Sequence, residues 1–303
     1  LMFVACHPIL PIAARTSLTL RLVGGLTTAE IARAYVEPEA TVKQRILRAK
    51  RMIAKAGVAF EVPEGDDRAA RLGSVLEVVY LMFNEGYSAT SGSDWTRPSL
   101  CAEALRLGRV VAALMPGEPE AHGLAALMEF QSSRLSARRG PDGEPVLLND
   151  QDRRRWDRLL IRRGLVALDR VESLDGTKGP YALQAAIAAC HTAAVRADDT
   201  DWPRIVALYG ELAEVAPSPI VHLNRAVAVS MAYGPQAGLD LVDQLCASGA
   251  IDRYHLLYGV RGDLLEKVGR SDEAATEFRR AASLTRNESE QRLLEARAEK
   301  ASG

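Results

Sequence analysis

Apolar side chains recur along most of the chain at spacings of three and four residues, the pattern of amphipathic helices. Alternating strand-like runs are scarce, and aromatic residues make up only 5% of the sequence. Ala, Leu and Arg, which favour helices, are abundant. The pattern therefore predicts an all-α fold. Breaker-rich stretches divide it into a helix-turn-helix domain, a linker, a helical middle domain and a helical-repeat array, at residues 1–58, 59–67, 68–178 and 179–303.

The last of these blocks repeats a plan of two helices joined by a turn. Residues 224–239 and 257–278 follow the same order of helix, glycine turn and second helix. The turn glycines Gly234 and Gly269 are 35 residues apart. A period of about 34 residues with small residues at helix crossings is typical of tetratricopeptide-like hairpins. A degenerate earlier copy is predicted over residues 181–217.

These hairpins predict an array that buries its apolar faces by stacking. Each hairpin leaves one apolar face uncovered, so about three units must pack together. Trp202 is predicted to open the second helix of the first copy, and a polar helix near residues 288–300 is predicted to cap the end. Such arrays offer a concave surface on which a protein or peptide partner can bind. The alternative is a purely architectural role.

Charge is distributed unevenly along the chain. The formal net charge is only -1, yet residues 15–55 hold nine Lys or Arg against three Glu. The remainder of the chain is correspondingly acidic. This asymmetry suggests that the basic part contacts nucleic acid.

The four cysteines do not form a disulfide framework and fit a reducing cytosol, which predicts a cytoplasmic location. No apolar run of about 18 residues predicts a membrane span, and the first residues lack a signal-peptide pattern. Because the chain begins at Leu1 rather than at an initiator methionine, we expect it to be a fragment or a trimmed chain.

The most informative stretch is residues 25–56. Thr27 stands three residues before Glu30, which forms a capping box and predicts the start of a helix. Ile31, Ala32 and Tyr35 are predicted to form the buried side of this helix, with Ala32 at a close helix crossing. Pro38 is predicted to end it.

A second, strongly basic helix is predicted from about Thr41 through Ile53. Its inner face is predicted to be Val42, Ile46, Ala49 and Ile53. Its outward face is predicted to be Lys43, Gln44, Leu47, Arg48, Lys50, Arg51 and Lys55. Two helices joined in this way form a helix-turn-helix, whose second helix fits the DNA major groove. The alternative is a solvated basic face on a structural helix.

The side-chain types on the second helix suit two kinds of DNA contact. Arg and Lys suit guanine, Gln suits adenine and Leu can touch a thymine methyl group. The residues that we expect to meet base edges are Lys43, Gln44, Leu47 and Arg48. Those expected to neutralise or hydrogen-bond phosphates are Thr41, Arg45, Lys50, Arg51 and Lys55.

Residues 18–32 and 38–50 resemble region 4 of a bacterial sigma-70 family factor. The subtype that they resemble is the extracytoplasmic-function (ECF) group, specifically its members with a long C-terminal extension ending in tetratricopeptide-like repeats. Further segments that resemble this subgroup are residues 79–87, 100–104, 149–153 with Trp156 and Asp157, 199–202 and 223–228.

The resemblance implies binding of the -35 promoter element and docking on the β flap of the RNA polymerase core. By family pattern, Lys43, Gln44, Leu47 and Arg48 match base-facing positions. Thr41, Arg45, Lys50 and Arg51 match positions that contact the DNA backbone or support the helix. The extension is expected to influence activity, either by docking on region 4 and covering the basic helix or by having to bind something before transcription is permitted.

Two departures from the family pattern matter. The turn reads Val36-Glu37 where a glycine followed by an apolar residue is common, and Glu37 is expected to oppose phosphate approach. Region 2, which opens the -10 element, is expected before residue 1 and is absent from this chain. We therefore expect that the chain alone does not start transcription.

Two other classes of function stay open on the sequence. The first is a helix-turn-helix regulator that is complete without region 2 and binds proteins through its repeats. The second is a repeat scaffold with a vestigial basic helix. A full-length sequence with an upstream region 2 would separate the first of these from a sigma factor.

No enzyme, metal site or cofactor is predicted. The Cys6-His7 and Cys190-His191 pairs lack zinc-ligand spacing. Nucleotide-binding and serine-hydrolase fingerprints are absent. The polar clusters at residues 84–87 and 150–157 are expected to cap helices and to join the middle block to the repeats, rather than to form a catalytic carboxylate pair.

Overall fold

The structure is a computed structural model that describes residues 1–35, 37–59, 61, 63, 65–92, 94–141, 143–174, 176 and 178–302. The described chain is predominantly α-helical and has only two-residue strands, which confirms the all-α prediction. Val36 of the expected turn lies outside the described residues, as do Phe60, Val62 and Glu64 of the expected linker.

The chain divides into two compact units. Unit 1 comprises Leu1–Ser91 and Thr96–Pro116, and unit 2 comprises Gly92–Trp95 and Gly117–Gly303. The helices of unit 1 are α1 (Met2–Ala5), α2 (Ile12–Leu22), α3 (Thr28–Tyr35), α4 (Glu39–Lys55), α5 (Gly65–Tyr87) and α6 (Pro98–Leu114). Helix α5 begins within the stretch that the sequence marks as a linker.

Unit 2 holds the remaining helices. They are α7 (Pro119–Ser133), α8 (Arg158–Ser173), α9 (Pro180–Ala193), α10 (Trp202–Val215), α11 (Pro219–Tyr233), α12 (Pro235–Ser248), α13 (His255–Lys267), α14 (Ser271–Leu284) and α15 (Glu288–Ser302). Single 3-10 turns lie at Leu135–Ala137, Leu148–Asp150, Arg153–Arg155 and Ala197–Asp199, and two-residue strands lie at Ser91–Gly92 (β1) and Arg286–Asn287 (β2).

The core of unit 1 forms around α2, which packs against α3, α4 and α5, while α5 packs against α6. Leu18 and Leu20 of α2 and Ile31 of α3 are fully buried there. Side chains of this size each contribute about 1.5–3 kcal/mol when they leave water. The helix-turn-helix therefore shares its core with α5.

Unit 2 is an array in which successive helices from α9 to α15 pack on one another. The pairs α11–α12 and α13–α14 form the predicted hairpins, and α9–α10 forms the earlier copy, with Trp202 opening α10 as predicted. Gly234 and Gly269 adopt φ of 102° and 82° at the hairpin turns, a backbone conformation that favours glycine. The polar α15 ends the array and buries Leu294 and Ala298.

Two apolar clusters hold the array together. One joins α9, α10 and α11 around Leu183, Ile205 and Leu208. The other runs from α11 to α15 and includes Leu257 and Phe278. The helices of the array thus bury their apolar sides mainly against adjacent helices, which is the packing logic of helical repeats, and α9 also packs on α7. Among the described residues, no helix combines the length and the apolar character that crossing a bilayer requires.

Candidate nucleic-acid interface

The first helix of the helix-turn-helix begins with the predicted capping box. The backbone N–H of Thr27 donates to Glu30 Oε2 at 2.7 Å, and the Glu30 N–H donates to Thr27 Oγ1 at 3.2 Å. The hydrogen bonds from Thr27 lower the pKa of Glu30, so the carboxylate stays ionised beside the positive end of the helix. Ile31 and Ala32 are buried as predicted, whereas Tyr35 is only half-buried.

The second helix, α4, presents the two predicted faces. It begins at Glu39, after Pro38, and continues to Lys55. Val42, Ile46, Ala49 and Ile53 are its buried residues, which confirms the predicted inner face. The residues on the predicted outward face are all exposed: Lys43, Gln44, Leu47, Arg48, Lys50, Arg51 and Lys55. Thr41 is exposed in the first turn of the helix.

The outward face of α4 carries positive charge that the neighbouring described residues do not neutralise. The side chains of Lys43, Arg48, Lys50 and Arg51 make no ion pair or hydrogen bond with any described residue. Leu47, with 44% of its surface exposed, lies among these cations. A cationic face that includes Gln44 and Leu47 has the donors and the apolar contact needed for base edges together with charges for phosphates.

Arg45 lies on the same helix but faces the turn. Its guanidinium is 2.9 Å from Glu37 Oε1 and 2.7 Å from Glu37 Oε2, and it donates to Ser17 Oγ at 3.4 Å. Glu37 therefore neutralises Arg45, and the pair ties the turn to α4 and α2. The sequence singled out Glu37 as an obstacle to phosphate, but it did not indicate this partner.

A groove of about 610 Å³ runs between the start of α2 and α4. Pro11, Ala14 and Met52 give it an apolar side, and Gln44 and Arg48 border it on the basic face. An apolar groove of this kind is suited to a protein contact, and a protein bound there would also touch Gln44 and Arg48 at the edge of the basic face.

The end of α3 is held by Arg97, the residue before α6, which also pairs with Glu85 of α5. Arg97 donates through Nη1 to the carbonyl of Ala34 and to the Glu85 carboxylate. Thr90 Oγ1 donates to Glu85 Oε2 at 2.8 Å. The prediction that the cluster at 84–87 joins the middle block to the repeats was wrong for Glu85, because its partner Arg97 holds the helix-turn-helix. Burial, with a smaller effect of Glu85, raises the pKa of the neighbouring Tyr35 well above its ordinary value.

The second polar cluster has its predicted role in unit 2. Asp157 caps α8 by accepting the N–H groups of Leu159 and Leu160 at 2.8 and 3.1 Å. The buried Arg153 donates to the carbonyls of His191 and Ala194 at 2.5 and 2.7 Å, joining the middle block to the repeats. Burial, with smaller effects from Arg134 and Arg153, lowers the pKa of His191 to about 3.

The cysteine and histidine side chains do not form a metal centre in the described part of the chain, where no group of three or more potential ligands converges. Cys6 is buried, and its Sγ is 3.1 Å from Thr19 Oγ1. Burial raises the pKa of Cys6 to about 11, so this sulfur is protonated at neutral pH and is a poor nucleophile.

Comparisons with known proteins agree with this geometry. Residues 1–53 match the family described as Sigma-70, region 4. Residues 71–172 match a family of unknown function, DUF6596. An uncharacterised protein of Rhizobium meliloti (strain 1021) is 47% identical over 290 residues, which cover 96% of this chain and 68% of that protein. No solved structure matches the chain.

The first 53 residues of the chain therefore match sigma-70 region 4, and the helix-turn-helix lies within this match apart from the last residues of α4. The chain belongs to the same family as the uncharacterised Rhizobium meliloti protein.

Proposed function

We propose that this chain is the C-terminal part of an ECF-type sigma factor that recognises the -35 promoter element through α4. In this proposal Lys43, Gln44, Leu47 and Arg48 read base edges. Lys50 and Arg51 contact phosphates, Thr41 hydrogen-bonds one, and Arg45 supports the helix. The protein then works without metal, cofactor or catalysis, and its place beside RNA polymerase puts it in the cytoplasm.

The exposed cationic face of α4 is the observation that carries this proposal. Four of its cations have no carboxylate partner among the described residues, while Arg45 beside them is paired. A structural helix gains nothing from adjacent like charges on a solvated face, because such charges repel one another. Phosphate groups would supply the missing countercharge.

A salt titration with duplex DNA tests the proposal. Binding of the chain to a duplex that contains its promoter should weaken steeply with salt, with a slope that corresponds to about four to six phosphate contacts. Weak binding with a flat salt dependence would reject α4 as a DNA-binding helix.

Substitutions separate base contacts from phosphate contacts. K43A and R48A should each cost about 1–3 kcal/mol on the promoter duplex and relax sequence preference. K50A should weaken promoter and scrambled duplexes about equally. If K43A and R48A bind the promoter duplex like the parent chain, the proposed base-reading residues are wrong.

We further propose that the chain docks on the β flap of the RNA polymerase core and that the extension regulates activity. The groove beside α4 has the apolar side that a protein contact needs, and the acidic balance of the remaining chain makes electrostatic covering of α4 physically possible. If the extension covers α4, a fragment of residues 1–116 should bind DNA more tightly than the whole chain. Equal affinity would reject covering.

A second candidate is a helix-turn-helix regulator that recruits proteins through the tetratricopeptide-like hairpins of unit 2. The stacked hairpins from α9 to α14 favour it, since such arrays commonly bind peptides or proteins. The discriminating measurement uses the polypeptide extended to its natural start. Promoter-specific transcription by core polymerase supports the sigma factor, whereas DNA binding without such transcription supports the regulator.

A further inference from the structure

Helix α8 of unit 2 presents an outer face that is both cationic and apolar. Leu159 and Val166 are 53% and 64% exposed. They are seven residues apart, so two helical turns place them on one stripe. The arginines of the same outer face are Arg158, Arg162, Arg163 and Arg170. The opposite side of the helix is anchored in the protein, where Ile161, Gly164 and Val171 are buried.

The arginines flank the apolar stripe on both sides. At 100° per residue, Arg158 and Arg162 lie on one side of the stripe, and Arg163 and Arg170 lie on the other. One carboxylate, Asp169, lies on the same side of the stripe as Arg158 and Arg162, between their directions around the helix axis, so that side carries two arginines and one aspartate. An apolar seam flanked on both sides by predominantly like charges is the pattern by which one helix selects an oppositely charged helix in a coiled coil.

Three of these arginines carry charge that their own surroundings do not balance. Arg158, Arg162 and Arg163 make no side-chain ion pair or hydrogen bond with any described residue. Arg158 lies in the first turn of α8, where the positive end of the helix dipole makes a cation unfavourable. Arg158 and Arg162 are four residues apart on the helix, where like charges repel one another, so an acidic partner would stabilise them.

A cavity adjoins the stripe. It has a volume of about 480 Å³ and is lined by Val166 and Ala167 together with Arg162, Arg163, Arg170 and His122 of α7. Its apolar floor accepts an aliphatic side chain, while the guanidinium groups around it accept carboxylates.

We propose that the outer face of α8 binds an acidic amphipathic helix of another protein, with the partner's apolar stripe on Leu159 and Val166 and its carboxylates on the flanking arginines. Nucleic acid does not need the apolar stripe. A membrane surface needs a broader apolar face, commonly with large aromatic side chains, than one leucine and one valine provide. This inference does not depend on DNA binding by α4.

The test uses the whole chain and a fluorescent designed peptide of about three heptads, with Leu at the a and d positions and Glu at e and g. Repulsion between its Glu residues keeps the peptide from pairing with itself. Fluorescence anisotropy should show saturable binding that weakens as salt is raised. A peptide with Lys in place of every Glu should not bind.

Variants assign the binding to α8. R162E/R163E should weaken peptide binding by at least about tenfold, since it reverses two interfacial charges. L159S/V166S should also weaken it, because the stripe loses its apolar contact. The matched control is R253E/R286E, which reverses two exposed arginines elsewhere in unit 2 and should bind within about twofold of the parent chain.

Circular dichroism and the urea midpoint of each variant establish that it is folded. If R162E/R163E is unfolded, R162Q/R163Q replaces it. The proposal is overturned if the acidic peptide does not saturate the parent chain, or if the control variant loses binding equally. It is also overturned if the binding of duplex DNA or anionic vesicles depends on Arg162 and Arg163 while the binding of the peptide does not.

Discussion

At the scale of single residues, Arg45 and Lys50 lie on the same helix but face different surroundings. Arg45 is paired with Glu37, whereas Lys50 has no partner among the described residues. K50A should therefore lower the salt slope of DNA binding by about one, as expected for a lost phosphate contact. R45A should leave the slope nearly unchanged, because its charge is already neutralised. Anisotropy titrations at several salt concentrations measure both slopes.

A control for this prediction is R51A, whose exposed side chain should behave like Lys50. A slope that falls by about one in R45A as well would mean that Arg45 leaves Glu37 and contacts DNA. The ion pair itself is half-exposed, so its loss should change the free energy of unfolding by about 1 kcal/mol or less.

Single residues also show which features the sequence predicts and which it does not. The spacing of Val42, Ile46, Ala49 and Ile53 predicts the buried face of α4 because helical periodicity alone determines which side chains point together. The pairing of Glu37 with Arg45 depends on the path of the turn between two helices, which periodicity does not specify.

At the scale of elements, close helix crossings depend on glycine. A Cβ added to Gly238 of α12 would lie 2.4 Å from Ser230 Cβ and 2.8 Å from the Ala226 carbonyl oxygen of α11. G238A should therefore force the two helices apart and lower the free energy of unfolding by about 1–3 kcal/mol. Urea unfolding followed by circular dichroism measures the change.

The matched control is Gly210 in α10, where an added Cβ would meet nothing within 4 Å. G210A should be neutral or stabilise the protein by up to about 1 kcal/mol, because alanine favours the helix. Equal effects of the two substitutions would show that the α11–α12 crossing does not depend on Gly238.

The burial of the His191 imidazole on α9 makes unit 2 sensitive to pH. His191 is buried, its ring makes an edge contact with Trp202, and its pKa in the folded state is about 3 against 6.5 ordinarily. The unfolded chain thus binds the proton more readily, so stability should fall as pH drops below about 6.5. The loss is at most about 1.4 kcal/mol per pH unit.

Urea unfolding of the parent chain and of H191Q between pH 7.5 and 5 measures this effect. As the pH falls, the free energy of unfolding of the parent chain should decrease relative to that of H191Q, because the variant has no imidazole to protonate. The carboxylates titrate in both proteins and cancel in the difference. A difference that does not vary with pH would contradict the burial of a neutral His191.

At the scale of the whole molecule, sequence patterns predict individual helices and the repeat period better than they predict which helices share a core. Ser74 of α5 donates to the carbonyl of Cys6, and Arg15 of α2 donates to Ser74 and Glu77 at 2.6 and 2.8 Å. These contacts join residues about sixty positions apart. Local periodicity does not encode such distant pairings, so the sequence predicted a domain that ends before α5.

This shared core predicts how fragments of unit 1 behave. Residues 1–58 contain the complete helix-turn-helix but lack α5 and α6, so they lose the hydrogen bonds from Arg15 to Ser74 and Glu77 and the contact of Arg97 with Ala34. Each such hydrogen bond contributes about 0.5–1.5 kcal/mol, and a chain of this length has little stability to lose.

A fragment of residues 1–116 should unfold cooperatively in urea, whereas residues 1–58 should unfold at a lower midpoint or without a cooperative transition. R15A in the longer fragment should lie between the two. Equal midpoints for both fragments would show that the helix-turn-helix folds without α5 and α6.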